Sequence, residues 1–278
     1  MAISKRVADR ITSNLKKYQS ILADAKDRDV SESDTVVIIA DILADVLGYN
    51  KYTELTTEFA IRNTYVDLAV KVGQEIRFLI EAKAVGVALK DPHIKQAVDY
   101  GANHGIEWIV LTNGTIWQIF KIHFKQPIEH FLIYECNLLG TSHKDPKLIE
   151  CLWHLSKEGF AHSSMTAFYQ QQQATSRFAL AAVLLSDAMI SALRRELRRI
   201  TPNIRVDEEY LKTALETEVL KREVVESEEA KKAFDYMKRA LKAAERVKKK
   251  ESQSGKTNCE SEDIKSGPPI EDYQKDLL

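Results

Sequence analysis

Residues 64–83, TYVDLAVKVGQEIRFLIEAK, decide the fold. Two runs of alternating apolar and polar residues flank Gly73-Gln74, the composition of two antiparallel strands and their turn. A turn of Gly73 and Gln74 alone would set Val70 against Arg77 and Asp67 against Ile80. A three-residue turn, Gly73 to Glu75, instead pairs Val66 with Ala82, Leu68 with Ile80 and Val70 with Phe78, and brings Asp67 opposite Glu81. A slip of one residue sends every side chain to the other face, so the register that keeps one face wholly apolar is favoured. Side chains alternate along a strand, and that register therefore leaves Asp67, Glu81 and Lys83 together on the opposite face.

Taken alone, Glu81 and Lys83 also fit a solvated surface pair worth ~0–1 kcal/mol. The second carboxylate changes the chemistry. Two carboxylates held together repel one another unless a cation sits between them. Oxygen donors of this kind suit Mg²⁺ or Mn²⁺. Such an ion neutralises charge on a phosphate and acidifies bound water. Lys83 would orient that water and offset charge developing on the phosphate.

The neighbouring elements supply further polar groups. Asp91-Pro92 opens a predicted helix, with Asp91 as N-cap, that ends near His104-Gly105. Gln96 and Tyr100 lie four residues apart on its face, where Gln96 can hold water or phosphate. An ordinary half-buried helix face is the competing reading. In EWIVLTNGTIWQIFKI, two apolar strands flank Asn113-Gly114, a type I′ hairpin signal, and HFLIYECN reads as one more strand. Upstream, the periodicity predicts helices over 3–27 and 32–47, the second capped by Ser31 and stopped by Gly48, and then a first strand in TELTTEFAIRN.

Beyond 145 the pattern is helical. One helix is predicted over 146–160, and QQQQATS (170–176) is a linker or a helix start. A long amphipathic helix runs from Phe178 to Ile200 and is broken by Thr201-Pro202. Asp207 caps the next, and an increasingly basic helix covers 226–250. The polar segment after 251 reads as disordered. The expected layout is an N-terminal helix (1–28), a core (29–140), a helical region (141–250) and a tail (251–278). The fold class is α/β (α+β), with a mixed central sheet flanked by helices.

Composition is that of a soluble globular chain, 44% hydrophobic and 29% charged over 278 residues. A net charge of −1 means that any affinity for nucleic acid must come from local charge. Arg194, Arg195, Arg198 and Arg199 form one basic cluster; Lys238, Arg239, Lys242, Arg246 and Lys248 to Lys250 form another. A solvated helix face explains either equally well. Cys136, Cys151 and Cys259 are scattered and include no CxxC pair, which argues against a disulfide framework or a zinc site and for reduced thiols in the cytoplasm. The N-terminus is too charged for a signal peptide, and no apolar run approaches the ~20 residues of a membrane span.

The ordered set Asp67, Glu81-Ala82-Lys83 and Gln96 to Tyr100, then a strand, Thr112-Asn113-Gly114 and a Trp-bearing strand, resembles the N-terminal nuclease domain of the type I restriction enzyme R subunit. That domain belongs to the PD-(D/E)xK nuclease superfamily, and the resemblance covers roughly residues 30–125. It implies a restriction-endonuclease-like core and a Mg²⁺-dependent DNA endonuclease of restriction or phage defence. Asp67 and Glu81 would be metal ligands, Lys83 the catalytic lysine, and Gln96 with Tyr100 the QxxxY motif. The helix before the sheet often supplies another acid in this family. Glu32 is the candidate by position, with Asp34 behind it and Glu58 as a further acid, although acids in a helix's first turn are also stabilised by the macrodipole. Val66 stands where the superfamily name has Pro.

An R subunit continues into an ATP-driven translocase. Here Gly255-Lys256-Thr257 mimics the end of a P-loop, but Lys250 stands where its first Gly belongs. The expectation is a stand-alone nuclease, self-associating or working with other restriction subunits. A catalytically silent nucleic-acid-binding or assembly subunit, or a helical interaction module, is the alternative.

Overall fold

The computed structural model describes residues 3–61, 64–124, 126–235 and 237–239. The chain divides into two compact units, 1–169 and 170–278.

The first unit is built on a six-stranded sheet whose spatial order follows the sequence. Its strands are β1 (Leu55–Ile61), β2 (Thr64–Val72), β3 (Glu75–Ala82), β4 (Trp108–Thr112), β5 (Ile116–His123) and β6 (Glu129–Asn137). The helices around it are α1 (Lys5–Asp27), α2 (Glu32–Asp45), α3 (Asp91–His104), α4 (Pro146–Leu155), α5 (Lys157–Ala161) and the start of α6 (Ser164–Ala174). Neighbouring strands are antiparallel except β3 and β4, which α3 connects as a crossover and which run parallel. The expected mixed sheet is therefore present.

The β2–β3 pairing resolves the choice posed by the turn. Leu68 faces Ile80 and Val70 faces Phe78, the register that keeps the apolar face together. The turn, however, is not the expected three residues, because Val72 pairs with Glu75 and Gly73-Gln74 alone make the reversal, with Gly73 at φ +67°. The two facts are reconciled by a β-bulge. Lys71 pairs with Ile76, so Arg77 is the extra residue on β3, and the bulge shifts the ladder by one. Val66 departs from the expected face. The paired ladder to β3 stops at Leu68, and Val66 packs with Leu79, Ala97 and Val98 on the other side.

Each face of the sheet is covered. Leu68, Val70, Phe78, Ile80, Ala82, Trp117 and Ile119 pack with the buried stripes of α1, α2 and α4. The stripe of α1, Val7, Ile11, Leu15 and Leu22, recurs at helical spacing, and the Ser4 hydroxyl caps it by accepting the Val7 N–H. Ser31 caps α2 in the same way, accepting the Asp34 N–H at 3.1 Å. On the opposite face Ala69, Leu79, Ile109, Leu111, Phe120 and Ile122 pack against Ala97 and Val98 of α3.

Local expectations differ in four places. Lys90, not Asp91, is the N-cap of α3, and its N–H donates to His93 Nδ1 at 3.3 Å. Asn113 keeps a negative φ while Gly114 is at +81°, so Asn113-Gly114 is not a type I′ pair. The Asn113 Oδ1 instead accepts the N–H groups of Thr115 and Ile116, at 3.0 and 2.8 Å, and closes the turn with its side chain. The predicted helix 146–160 is split into α4 and α5 by Ser156, whose hydroxyl caps α5 through the Gly159 N–H. The first unit also continues past residue 140, because α4 adds Leu148, Leu152 and Leu155 to the core.

In the second unit the glutamine run closes α6, and α7 (Arg177–Leu184) and α8 (Asp187–Ile200) replace the single predicted helix. The break is Leu185-Ser186, where Ser186 takes an extended conformation as N-cap. α9 (Glu208–Ala214), a π-helical turn (Leu215–Val219) and α10 (Arg222–Glu226) follow, and residues 228–235 and 237–239 are helical. Lys242, Arg246, Lys248 to Lys250 and the expected disordered tail lie outside the described residues. Among the described residues, no helix is long and apolar enough to cross a membrane.

Gly101 lets α3 sit close to the sheet. A Cβ there would come within 2.5 Å of Ile109 Cδ1, 2.6 Å of Ile122 Cδ1 and 2.9 Å of the Ile106 carbonyl oxygen. Gly101→Val is expected to destabilise the protein by about 1–3 kcal/mol through overpacking, read as a lower urea midpoint.

Candidate active site

The site grows out of the end of β3. This strand lies between β2 and β4, so its side chains are enclosed on both flanks, and Glu81 is only 2% exposed. Glu81 Oε1 accepts a hydrogen bond from Lys83 Nζ at 2.7 Å. Its other oxygen, Oε2, is buried and has no hydrogen-bond partner among the described residues. Asp67 Oδ2 accepts the Ala82 N–H at 2.7 Å, which ties β2 to β3 where their paired ladder has ended. The Lys83 N–H donates to the Thr112 carbonyl at 2.8 Å and extends the parallel ladder past Ala82.

Lys83 stands between two acids. Its Nζ is also 3.6 Å from Glu32 Oε1, and its side chain is 12% exposed. Glu32 lies in the first turn of α2, half exposed, and reaches the site through this lysine. Asp67, Glu81, Lys83 and Glu32 thus come together. Asp34 does not join them, because its carboxylate accepts from the Ser31 hydroxyl at 2.7 Å and serves the α2 cap. Glu58 is exposed on β1 at φ +47°.

The electrostatics are those of an under-neutralised acidic site. Burial pushes the Glu81 carboxyl up to about 7, and the negative charges of Asp67 and Glu32 add to it against the hydrogen bond and charge of Lys83. Asp67 is also raised, first by burial, with the Ala82 N–H and Lys83 opposing and Glu32 and Glu58 assisting. Burial works against the charge on Lys83, but its hydrogen bond to Glu81 and the surrounding acids outweigh that, and its pKa rises. Three carboxylates therefore share one ammonium.

Among the described residues, no group of three His, Cys, Asp or Glu side chains is arranged to hold a metal ion. Glu32 contacts Lys83 instead of completing such a triad. The donor chemistry available for a divalent cation is that of two carboxylates, Asp67 and Glu81, with the unpartnered Glu81 Oε2 as one oxygen. This fits Mg²⁺, which keeps several waters and needs only one or two protein carboxylates.

Gln96 and Tyr100 sit on α3, which covers the sheet face carrying Ala69 and Leu79. Gln96 Nε2 donates to Tyr100 Oη at 3.2 Å, and neither residue hydrogen-bonds to Asp67, Glu81 or Lys83. Gln96 is exposed, so its amide faces solvent. Of the four arginines of α8, Arg194 pairs with Glu208 at 3.3 Å and Arg199 with Glu196 at 2.7 Å, while Arg195 and Arg198 are exposed.

Two positioning residues were missed from the sequence. The Thr35 hydroxyl, fully buried in α2, accepts the Val85 N–H at 3.1 Å. Asn113 Nδ2 donates to the Val87 carbonyl at 2.8 Å. Together they pin the loop that follows Lys83. The available signals were a hydroxyl inside the apolar stripe of α2 and an amide assigned only to a turn. Beside this loop lies an open cleft of about 450 Å³, lined by Lys26, Val85, Val87, Asn113 and Leu139 among others, with Glu81 and Lys83 outside it.

The raised Glu81 pKa has a consequence for stability in the absence of divalent ions. In the folded protein Glu81 holds its proton to about 7, whereas unfolded it releases it near its ordinary 4.5. Stability is expected to fall as pH rises across that window and to level off above it. Glu81→Gln should flatten this segment of the profile, checked by denaturant melts in EDTA from about pH 4 to 8. Parallel profiles for the two proteins would contradict the burial argument.

No curated protein and no solved structure matches the chain. Residues 37–133 match the family model described as type I restriction enzyme R protein N terminus (HSDR_N). The match takes in Asp67, Glu81, Lys83, Gln96 and Tyr100, and begins after Glu32. Over residues 37–133, which hold most of the sheet together with Asp67, Glu81 and Lys83, the chain is similar to the type I restriction enzyme R protein N terminus.

Proposed function

We propose that the first unit is a Mg²⁺- or Mn²⁺-dependent DNA endonuclease acting in restriction or phage defence in the cytoplasm. The observation that carries this reading is Glu81, a buried carboxylate with one oxygen on Lys83 and the other without a partner, beside Asp67 at the same strand end. An unpaired buried carboxylate oxygen is costly, and a bound ion, an ordered water or a catalytic role accounts for keeping one.

Asp67 and Glu81 would hold the cation. When bound, the ion supplies charge neutralisation at the phosphate and a more acidic water. Lys83, fixed between Glu81 and Glu32, orients the attacking water and offsets charge on the phosphate. Glu32 positions Lys83. Gln96 and Tyr100 are solvent-side groups for the phosphate backbone. DNA is the substrate class because the matched family is named for a restriction enzyme protein, and Arg194, Arg195, Arg198 and Arg199 are additional phosphate contacts. The helical second unit is the element for self-association or for other restriction subunits.

A catalytically silent DNA-binding subunit is the competing function. The closed Lys83–Glu81 ion pair favours it, since that pair already occupies one ligand oxygen.

The test is cleavage of supercoiled plasmid, linear duplex and single strands with Mg²⁺, Mn²⁺ or EDTA. Wild type is expected to cut only with the divalent ion. Lys83→Ala should lose on the order of 10²–10³ in rate, as for other removed charge stabilisers, while retaining DNA binding. Equal behaviour of wild type and Lys83→Ala on every substrate would sink the catalytic assignment.

A further inference from the structure

We propose that Cys136 and Cys151 form a paired-thiol site that closes into an intrachain disulfide by exchange with a small-molecule disulfide of the glutathione class. Cys136 lies near the end of β6 and Cys151 in the middle of α4. Both are free thiols in this structure, and the Cys151 thiol points at Cys136 Sγ across 3.0 Å. Closing the bond to about 2.05 Å needs roughly one ångström of approach. The fifteen-residue separation and the lack of a CxxC pair hid this juxtaposition in the sequence.

Rigid elements impose the approach. The Asp145 carboxylate caps α4 by accepting the Lys147 and Leu148 N–H groups, at 2.8 and 3.2 Å. Tyr134 on β6 donates its hydroxyl to the Lys147 carbonyl at 3.1 Å and joins the two elements directly. Leu148, Leu152, Trp153 and Leu155 bury α4 in the same core as Cys136. The sulfurs therefore meet across packed secondary structure, not across a loop.

The exchange balances in two steps. Cys136 is 8% exposed and Cys151 is fully buried, so Cys136 is the thiol that meets the oxidant. Its thiolate attacks one sulfur of the small disulfide, breaks that S–S bond and releases one small thiolate, leaving a mixed disulfide. Cys151 then loses its proton to solvent and attacks Cys136 Sγ, expelling the second small thiolate, which takes a proton from solvent. Two protein thiols are oxidised and one small disulfide is reduced to two thiols. Burial pushes the Cys151 thiol pKa well up, which slows the second step in the folded state.

The bond would staple α4 to β6 and constrain the unfolded chain. It would leave the acidic site alone, because Cys136 packs on the sheet face covered by α1, α2 and α4 while Glu81 lies three strands away on β3. Oxidation would then raise the stability of the first unit.

The full chain tests this, both folded and refolded from denaturant, in buffer with oxidised and reduced glutathione. Titratable thiols are expected to drop from three to one, with a Cys136–Cys151 crosslinked peptide and a Tm several degrees above the dithiothreitol-reduced protein. Cys136→Ser should abolish the crosslink and the Tm shift, and Cys259→Ser should keep both. Three titratable thiols after refolding, a product arrested as the mixed disulfide, or a crosslink through Cys259 would each overturn the proposal.

Discussion

One residue too many on β3, Arg77, sets the relation between the turn and the acidic site. The Gly73-Gln74 reversal by itself would carry Asp67 opposite Ile80 and turn either a carboxylate into the core or Leu68 out of it. Burying a charge among Leu68, Phe78 and Ile80 costs far more than the local distortion of a bulge. The extra residue lets the tight turn and the apolar face coexist, and it aligns Asp67 with the end of β3.

The parallel β3–β4 step then gathers the remaining groups. Because both strands run the same way, Glu81, Lys83, Thr112 and Asn113 emerge at one end of the sheet. The start of α2 arrives at the same end, bringing Glu32 to Lys83 and Thr35 to the Val85 amide. The balance is deliberately short of positive charge. Three acids share Lys83, and Glu81 retains a proton to about 7 because burial and its acidic neighbours leave its charge poorly compensated. A divalent cation would resolve that imbalance with the donors already present.

Much of this was legible in the sequence, for identifiable reasons. Hydrophobic alternation specified the β2–β3 register because a one-residue error would expose an entire face, and Leu68–Ile80 and Val70–Phe78 pair accordingly. The turn length was not legible, since a bulge converts a two-residue turn into a three-residue register without a compositional mark. Helical periodicity located α1 and α2 but could not show the breaks at Ser156 and Ser186, where a short side chain offers the backbone an alternative to the next helical bond. Gln96 and Tyr100 could be placed on one face, yet their hydrogen bond to each other and not to Glu81 depends on how α3 sits on the sheet. Thr35, Asn113 and the Cys136–Cys151 contact depend on long-range packing, which local patterns do not encode.

The central claim is that Asp67 and Glu81 together hold a divalent cation at the end of β3. Anomalous scattering from crystals soaked in Mn²⁺ tests it most directly. The account predicts one peak in contact with both carboxylates and with Glu81 Oε2, lost in Asp67→Asn and in Glu81→Gln. A peak elsewhere with none between these side chains, or a peak that survives both substitutions, would contradict it.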